Sequence, residues 1–204
     1  LLDCTFVVNA GERTALVGPN GSGKTTVLLA TVGLVPHEGE ITVAGSKVER
    51  ASLQTVRDGV GFLFANPEDQ ILLPRVIDDV AFSLTSRGVP TEEAEAAARA
   101  ALARLNGAEL GERSPFRMSQ GQRLRAALAG ALVSYPPLLL LDEPTSGMDR
   151  EGRELLAADL RSLTSAMLIA THDLDFARSC CTRYLRIENG RVVGEGEDLD
   201  RMEA

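Results

Sequence analysis

The sequence predicts an α/β fold with an inserted α-helical subdomain, and three observations carry that prediction. Strand-like and helix-like stretches alternate from residue 13 to 34 and again from 119 to 170. A glycine-rich loop, GPNGSG at 18–23, joins a strand to a helix. Between Asn66 and Phe116 the strand signals stop and two helical stretches take their place.

Taken in order, Leu2, Cys4, Phe6 and Val8 alternate with Asp3, Thr5 and Val7, the period-two pattern of a first strand. RTALV at 13–17 is a second strand, and the helix at 25–34 is closed by Gly33 and Pro36. GEITVAG and GVGFLF add two short strands, the latter ending at Phe64. VIDDVAFSL and TEEAEAAARAALARL are helices, the second with Thr91 as N-cap and with Glu92 and Glu93 complementing the helix dipole in its first turn. The alternation then resumes with a helix at 119–134, the strand LLLLD, a helix near 153–162, the strand AMLIA, a short helix after Asp173 and a hairpin around ENGR. At 204 residues this makes one domain, with 1–65 and 119–204 as its core and 66–118 as the helical subdomain.

Composition excludes several function classes. The apolar fraction of 44% and charged fraction of 25% are those of a globular chain. Its longest apolar run, AALAGALV, is far short of the ~20 residues that cross a bilayer. A formal charge of −8 offers no basic footprint, so nucleic acid is not expected as a partner. Three cysteines, Cys4, Cys180 and Cys181, are too few for a disulfide framework and fit a reducing cytosol. The two histidines and scattered cysteines make no zinc site.

Gly18, Gly23, Lys24 and Thr25 satisfy G-x-x-x-x-G-K-[ST] in the required context of strand, loop and helix, which makes the core a P-loop NTPase. The loop Gly18, Pro19, Asn20, Gly21, Ser22, Gly23 lets backbone N–H groups curl around phosphate oxygens; Lys24 reaches the β- and γ-phosphates, Thr25 offers a hydroxyl to Mg²⁺, and Thr26 continues the helix N-terminus. The four leucines of LLLLDEP suit a parallel strand buried on both faces, with the acids emerging at its carboxyl end, where ligands of open α/β sheets sit. Asp142 is placed to hold Mg²⁺ through water and Glu143 to orient or deprotonate the attacking water.

MSQGQRLRAALAGAL before PPLLLLDEPTSGMD, with ATHDLDFA beyond, gives an order that resembles ATP-binding-cassette (ABC) ATPases over essentially the whole chain. FLFANPEDQILLPRVIDDVAF resembles most the ATPase subunits of energy-coupling-factor importers of the cobalt/nickel type. The resemblance implies N-terminal antiparallel strands, ATP and Mg²⁺ as cofactors, and a second ABC ATPase subunit, identical or related. Ser119, Gln120, Gly121 and Gln122 would form the signature that contacts ATP held by that second subunit. Asp149 would lie at the subunit junction, and His172 would hold the γ-phosphate and attacking water in line. His37 carries no such implication.

The implied function is an ATP-hydrolysing motor for uptake of a small solute, with cobalt or nickel ahead of a vitamin. Such a subunit docks on an integral membrane transport subunit, peripheral to the cytoplasmic face of the cell membrane. The stretch 66–84 is the expected docking face, although the same apolar pattern also suits lobe core. Two rival readings are an ABC ATPase outside transport and a nucleotide-gated module with little hydrolysis. Departures from the family pattern are Met118 for Leu, Gln120 for Gly, and Ala65 for a Gln that offers an oxygen toward Mg²⁺ or water. The aromatic residue that stacks on adenine would lie upstream of Leu1.

Overall fold

The computed structural model describes residues 1–199. Its main sheet contains β1 (Arg13–Val17), β4 (Val60–Leu63), β5 (Leu138–Asp142), β6 (Ala166–Thr171), β7 (Arg183–Glu188) and β8 (Arg191–Gly196), in the order β4-β5-β6-β1-β7-β8. All pairings are parallel except the β7–β8 hairpin. A separate antiparallel pair joins β2 (Thr42–Val43) to β3 (Ser46–Lys47).

Helices cover both faces of the sheet. Leu139 and Leu141 enter one apolar cluster with α3 (Val76–Thr85), α4 (Thr91–Arg104), α5 (Gln120–Leu132), α6 (Arg150–Arg161) and α7 (Leu174–Cys180). Leu140 faces the other, shared with α1 (Lys24–Thr31) and α2 (Leu53–Asp58). The leucine run is therefore buried on both sides, as a central parallel strand requires. Between β4 and α5 the chain forms α3, α4 and short 3-10 turns at Pro67–Asp69, Ala108–Leu110 and Pro115–Arg117, with no strand. Among the described residues no helix is long and apolar enough to cross a membrane.

Register brings three loops together. Val17 pairs with Thr171, and Asp142 with Ala170, so Gly18, Glu143 and His172 leave the sheet side by side at the carboxyl ends of β1, β5 and β6.

Several boundaries differ from expectation. The first predicted strand is reduced to one parallel bridge between Asp3 and Arg191. Its alternation does set a face, with Cys4, Phe6 and Val8 packed on the core while Leu2 and Val7 are exposed, but no ladder forms along it. Thr91 is the first helical residue of α4, whose N-cap is Pro90 with no side-chain cap bond. α1 stops at Thr31, before the left-handed Gly33. α6 starts at Arg150 because the Asp149 carboxylate accepts from Gly152 N–H and caps it there. α2 was not anticipated; its one buried side chain, Val56, leaves too little periodicity to read.

Candidate functional site

The loop after β1 is built to leave donors exposed. Gly18 passes so close to β7 that a Cβ would stand 2.2 Å from the Ile187 carbonyl. Gly23, at φ 108°, is the N-cap of α1, which has no side-chain cap and no acid in its first turn. The first N–H groups of a helix have no partner within it, so this end presents unneutralised positive potential. By contrast, α6 and α7 are capped by the Asp149 and Asp173 carboxylates. Ser22 adds a buried hydroxyl oxygen with no hydrogen-bond partner. A phosphate fits this cradle and would satisfy those donors.

Beside it lies an open cleft of about 360 Å³ lined by Asn20, Gly21, Gly23, Lys24, Thr25, Thr26 and Glu143. Lys24 is 6% exposed, and its ammonium donates to the carbonyls of Gly18 at 2.9 Å and Pro19 at 3.2 Å. It also stands 3.6 Å from Glu143 Oε1. The other oxygen, Glu143 Oε2, is 2.9 Å from His172 Nδ1 and accepts from His172 N–H at 3.3 Å. Glu143 holds a left-handed backbone, φ 44°, pinned by its N–H to the Ala170 carbonyl at 2.8 Å. Such a conformation is costly for a non-glycine residue and here turns the carboxylate into the cleft.

Thr25 Oγ1 lies 3.1 and 2.9 Å from the two oxygens of Asp142. Burial pushes the Asp142 carboxyl above its ordinary range; the Thr25 hydrogen bond opposes that, the Glu143 charge reinforces it and Lys24 opposes it. A hydroxyl and a carboxylate, both hard oxygen donors, suit Mg²⁺, and their shared hydrogen bond marks where it would be held. Among the described residues no three His, Cys, Asp or Glu side chains form a metal cage.

The chain matches the family model described as ABC transporter over residues 1–146. It is 40% identical over 201 residues to the energy-coupling factor transporter ATP-binding protein EcfA1 of Lactiplantibacillus plantarum, spanning 96% of this chain and 71% of the relative. The chain belongs to the ABC transporter ATP-binding family. Its fold superposes on cbiO1 of Clostridium perfringens, part of the ABC transporter complex cbiONQ, with TM-score 0.86 and 31% identity over 97% of this chain and 82% of that one. The dimeric cassette MJ0796 in a post-hydrolysis state, bound to ADP and Pi, matches with TM-score 0.81 and 27% identity over 95% and 88% of the two chains. This chain is thus an ABC ATPase, and the P-loop fold expected from its sequence is present.

The remaining residues singled out in the sequence stand elsewhere on the cassette. Ser119, Gln120, Gly121 and Gln122 do not line the cleft. They open α5, where Ser119 Oγ accepts from Gln122 N–H while the Gln122 side chain accepts from Ser119 N–H, a reciprocal cap. Ala65 is exposed just beyond β4. Gln70 holds that loop: it accepts from Phe64 N–H at 3.1 Å and donates to the carbonyls of Phe62 at 3.1 Å and Ala127 at 3.2 Å. Asp173 is similarly engaged, by Arg153 at 2.9 Å and by Phe176 N–H at 3.0 Å. Neither Gln70 nor Asp173 was assigned a role from the sequence, though each sits within a quoted motif, NPEDQ and ATHDLDFA.

Proposed function

We propose that this chain is the ATP-hydrolysing subunit of an energy-coupling-factor importer, working as one of a pair of cassettes docked on a separate membrane subunit. The observation that carries this reading is the Glu143 carboxylate held between Lys24 and His172, beside the Thr25–Asp142 pair and the uncapped end of α1.

In this reading the backbone N–H groups of 18–26 and the Lys24 ammonium bind the phosphates. Thr25, and Asp142 through water, would hold Mg²⁺, which when bound would offset negative charge on the phosphates. Glu143 orients the attacking water and takes its proton, and His172 fixes the Glu143 carboxylate while facing the γ-phosphate. Lys24, drawn now to two carbonyls and Glu143, turns to the phosphate when nucleotide enters.

The position of Ser119–Gln122 outside the cleft supports action on a nucleotide held by another cassette, with Asp149 at the junction. The core at 1–65 and 119–204 then binds ATP, while 66–118 forms the lobe that meets the membrane subunit on the cytoplasmic side. Exposed Leu72 and Phe82 supply apolar area on that lobe. The resemblance of FLFANPEDQILLPRVIDDVAF to importer ATPases of the cobalt/nickel type favours a cobalt or nickel ion as cargo, with a vitamin next.

Phosphate release by the purified chain in Mg·ATP tests the enzymatic half. Turnover that Glu143→Gln abolishes is expected; equal release by both proteins would sink the assignment. Uptake of cobalt, nickel or a vitamin into vesicles carrying the adjacent-gene membrane subunit tests the cargo.

A further inference from the structure

Gln120 occupies a signature position where the family resemblance expects glycine, and its side chain is engaged. Its Nε2 donates to the Ser146 carbonyl at 2.8 Å. Ser146 lies in the turn that follows Glu143: Ser146 N–H donates to the Glu143 carbonyl at 3.0 Å, and Met148 N–H to the Thr145 carbonyl at 3.0 Å. The turn ends at Asp149, the cap of α6. Gly147, at φ 72°, lets it pass under the amide, for a Cβ there would stand 2.5 Å from both terminal atoms of Gln120. At its other end Gln120 is fixed by the Ser119–Gln122 cap as the first residue of α5.

We infer that Gln120 is a positioning residue that ties the Ser119–Gln122 surface to the turn carrying Glu143 and Asp149. The inference rests on the paired-cassette reading, in which that surface meets the partner's nucleotide while Glu143 serves the chain's own. One side chain then links the two sites of a pair. In a single chain the bond is exposed and competes with water, so its net effect on folding is small. Once a second cassette covers the surface and excludes water, the Ser146 carbonyl keeps Gln120 as its donor, and the bond strengthens. Its influence therefore falls on turnover by the closed pair, with little on nucleotide binding by one chain.

Donor chemistry provides the test. Gln120→Glu preserves length but replaces the N–H donor with an acceptor, whereas Gln120→Lys restores a donor that reaches the same carbonyl. Gln120→Glu is expected to lower kcat about tenfold at high protein concentration, leaving thermal stability and single-chain nucleotide affinity within about twofold. Gln120→Lys should return kcat to within about threefold of wild type. If the Glu and Lys variants behave alike, whether active or impaired, the tether is overturned. A wild-type turnover per chain that does not rise with protein concentration overturns the paired reading itself, and this inference with it.

Discussion

His172 Nδ1 lies 2.9 Å from one oxygen of Glu143, while Lys24 Nζ lies 3.6 Å from the other. The carboxylate is thereby oriented from both sides without being enclosed, since it still lines the cleft. Glu143→Gln keeps the shape and removes the proton acceptor. Hydrolysis should fall by at least ~10²-fold, the usual contribution of a positioned general base. ATP binding should survive, and pairs held by unhydrolysed nucleotide should accumulate. Light scattering in Mg·ATP checks this: a shift toward twice the monomer mass is expected, and a persistent monomer, alone and with candidate partners, counts against pairing.

Ser119→Arg places a bulky cation at the start of α5, outside the cleft. Hydrolysis should be lost with ATP affinity near normal, because Lys24 and its cradle are untouched. The change also removes an N-cap, which costs about 1 kcal/mol of stability, so Ser119→Ala is the control for that loss. Fluorescent-nucleotide titration separates the outcomes. A collapse of affinity as large as that of Lys24→Ala would place Ser119 in the same-chain pocket.

The acid limb of stability should depend on Glu12. Burial alone would raise its carboxyl, but hydrogen bonds from Thr14, Arg183 and Asn9 and the charge of Arg183 take it from 4.5 to about 2. The folded state thus favours the ionised form. The resulting stabilisation is fully present above pH ~4.5 and disappears as pH falls toward about 2. Allowing for solvent screening, its size is on the order of 1–2 kcal/mol. Glu12→Gln should lower the unfolding temperature at pH 7 and flatten its fall between pH 4.5 and 2. Parallel melting curves for the two proteins across that window would show that the Arg183–Glu12 pair contributes nothing.

The Gln70 amide bridges β4, its following loop and α5 through Phe64 N–H and the Phe62 and Ala127 carbonyls. Gln70→Ala removes three hydrogen bonds to the backbone and should cost about 1–3 kcal/mol. Chemical denaturation measures this directly. Gln70→Glu, which retains the acceptor for Phe64 but loses both donated bonds, should cost a comparable amount; a shift near zero for both variants would mean that water replaces the amide.

The P-loop was legible because its chemistry is local: glycines, a lysine and a threonine at fixed spacing between a strand and a helix, with LLLLDEP marking the neighbouring strand. The first strand misled because alternation determines which face is buried, whereas a ladder needs a partner, and Asp3 alone finds one. Thr91 has the chemistry of a cap, yet the helix begins one residue earlier than capping by it would require. Gln70 and Gln120 were unreadable for a different reason. Their roles depend on carbonyls at 127 and 146, brought near only by tertiary packing.

Ala65 provides the last test. The loop after β4 takes its shape from Gln70 and from Asn66, which accepts from Glu68 N–H, so residue 65 is exposed and free to change without refolding the turn. Mg²⁺ ordinarily keeps several waters, so one can take the place of the expected Gln oxygen, and nucleotide affinity should change little with Ala65→Gln. A water is not held by the backbone, and a poorly fixed group reduces turnover more than binding. Ala65→Gln should therefore raise kcat about tenfold, or ~1.4 kcal/mol of transition-state positioning, and only in Mg²⁺. The gain should increase with the membrane subunit present, since the same loop leads into the proposed docking lobe. Steady-state hydrolysis at saturating Mg·ATP decides it: equal kcat values, alone and with that partner, would mean that another group supplies the chemistry expected at residue 65.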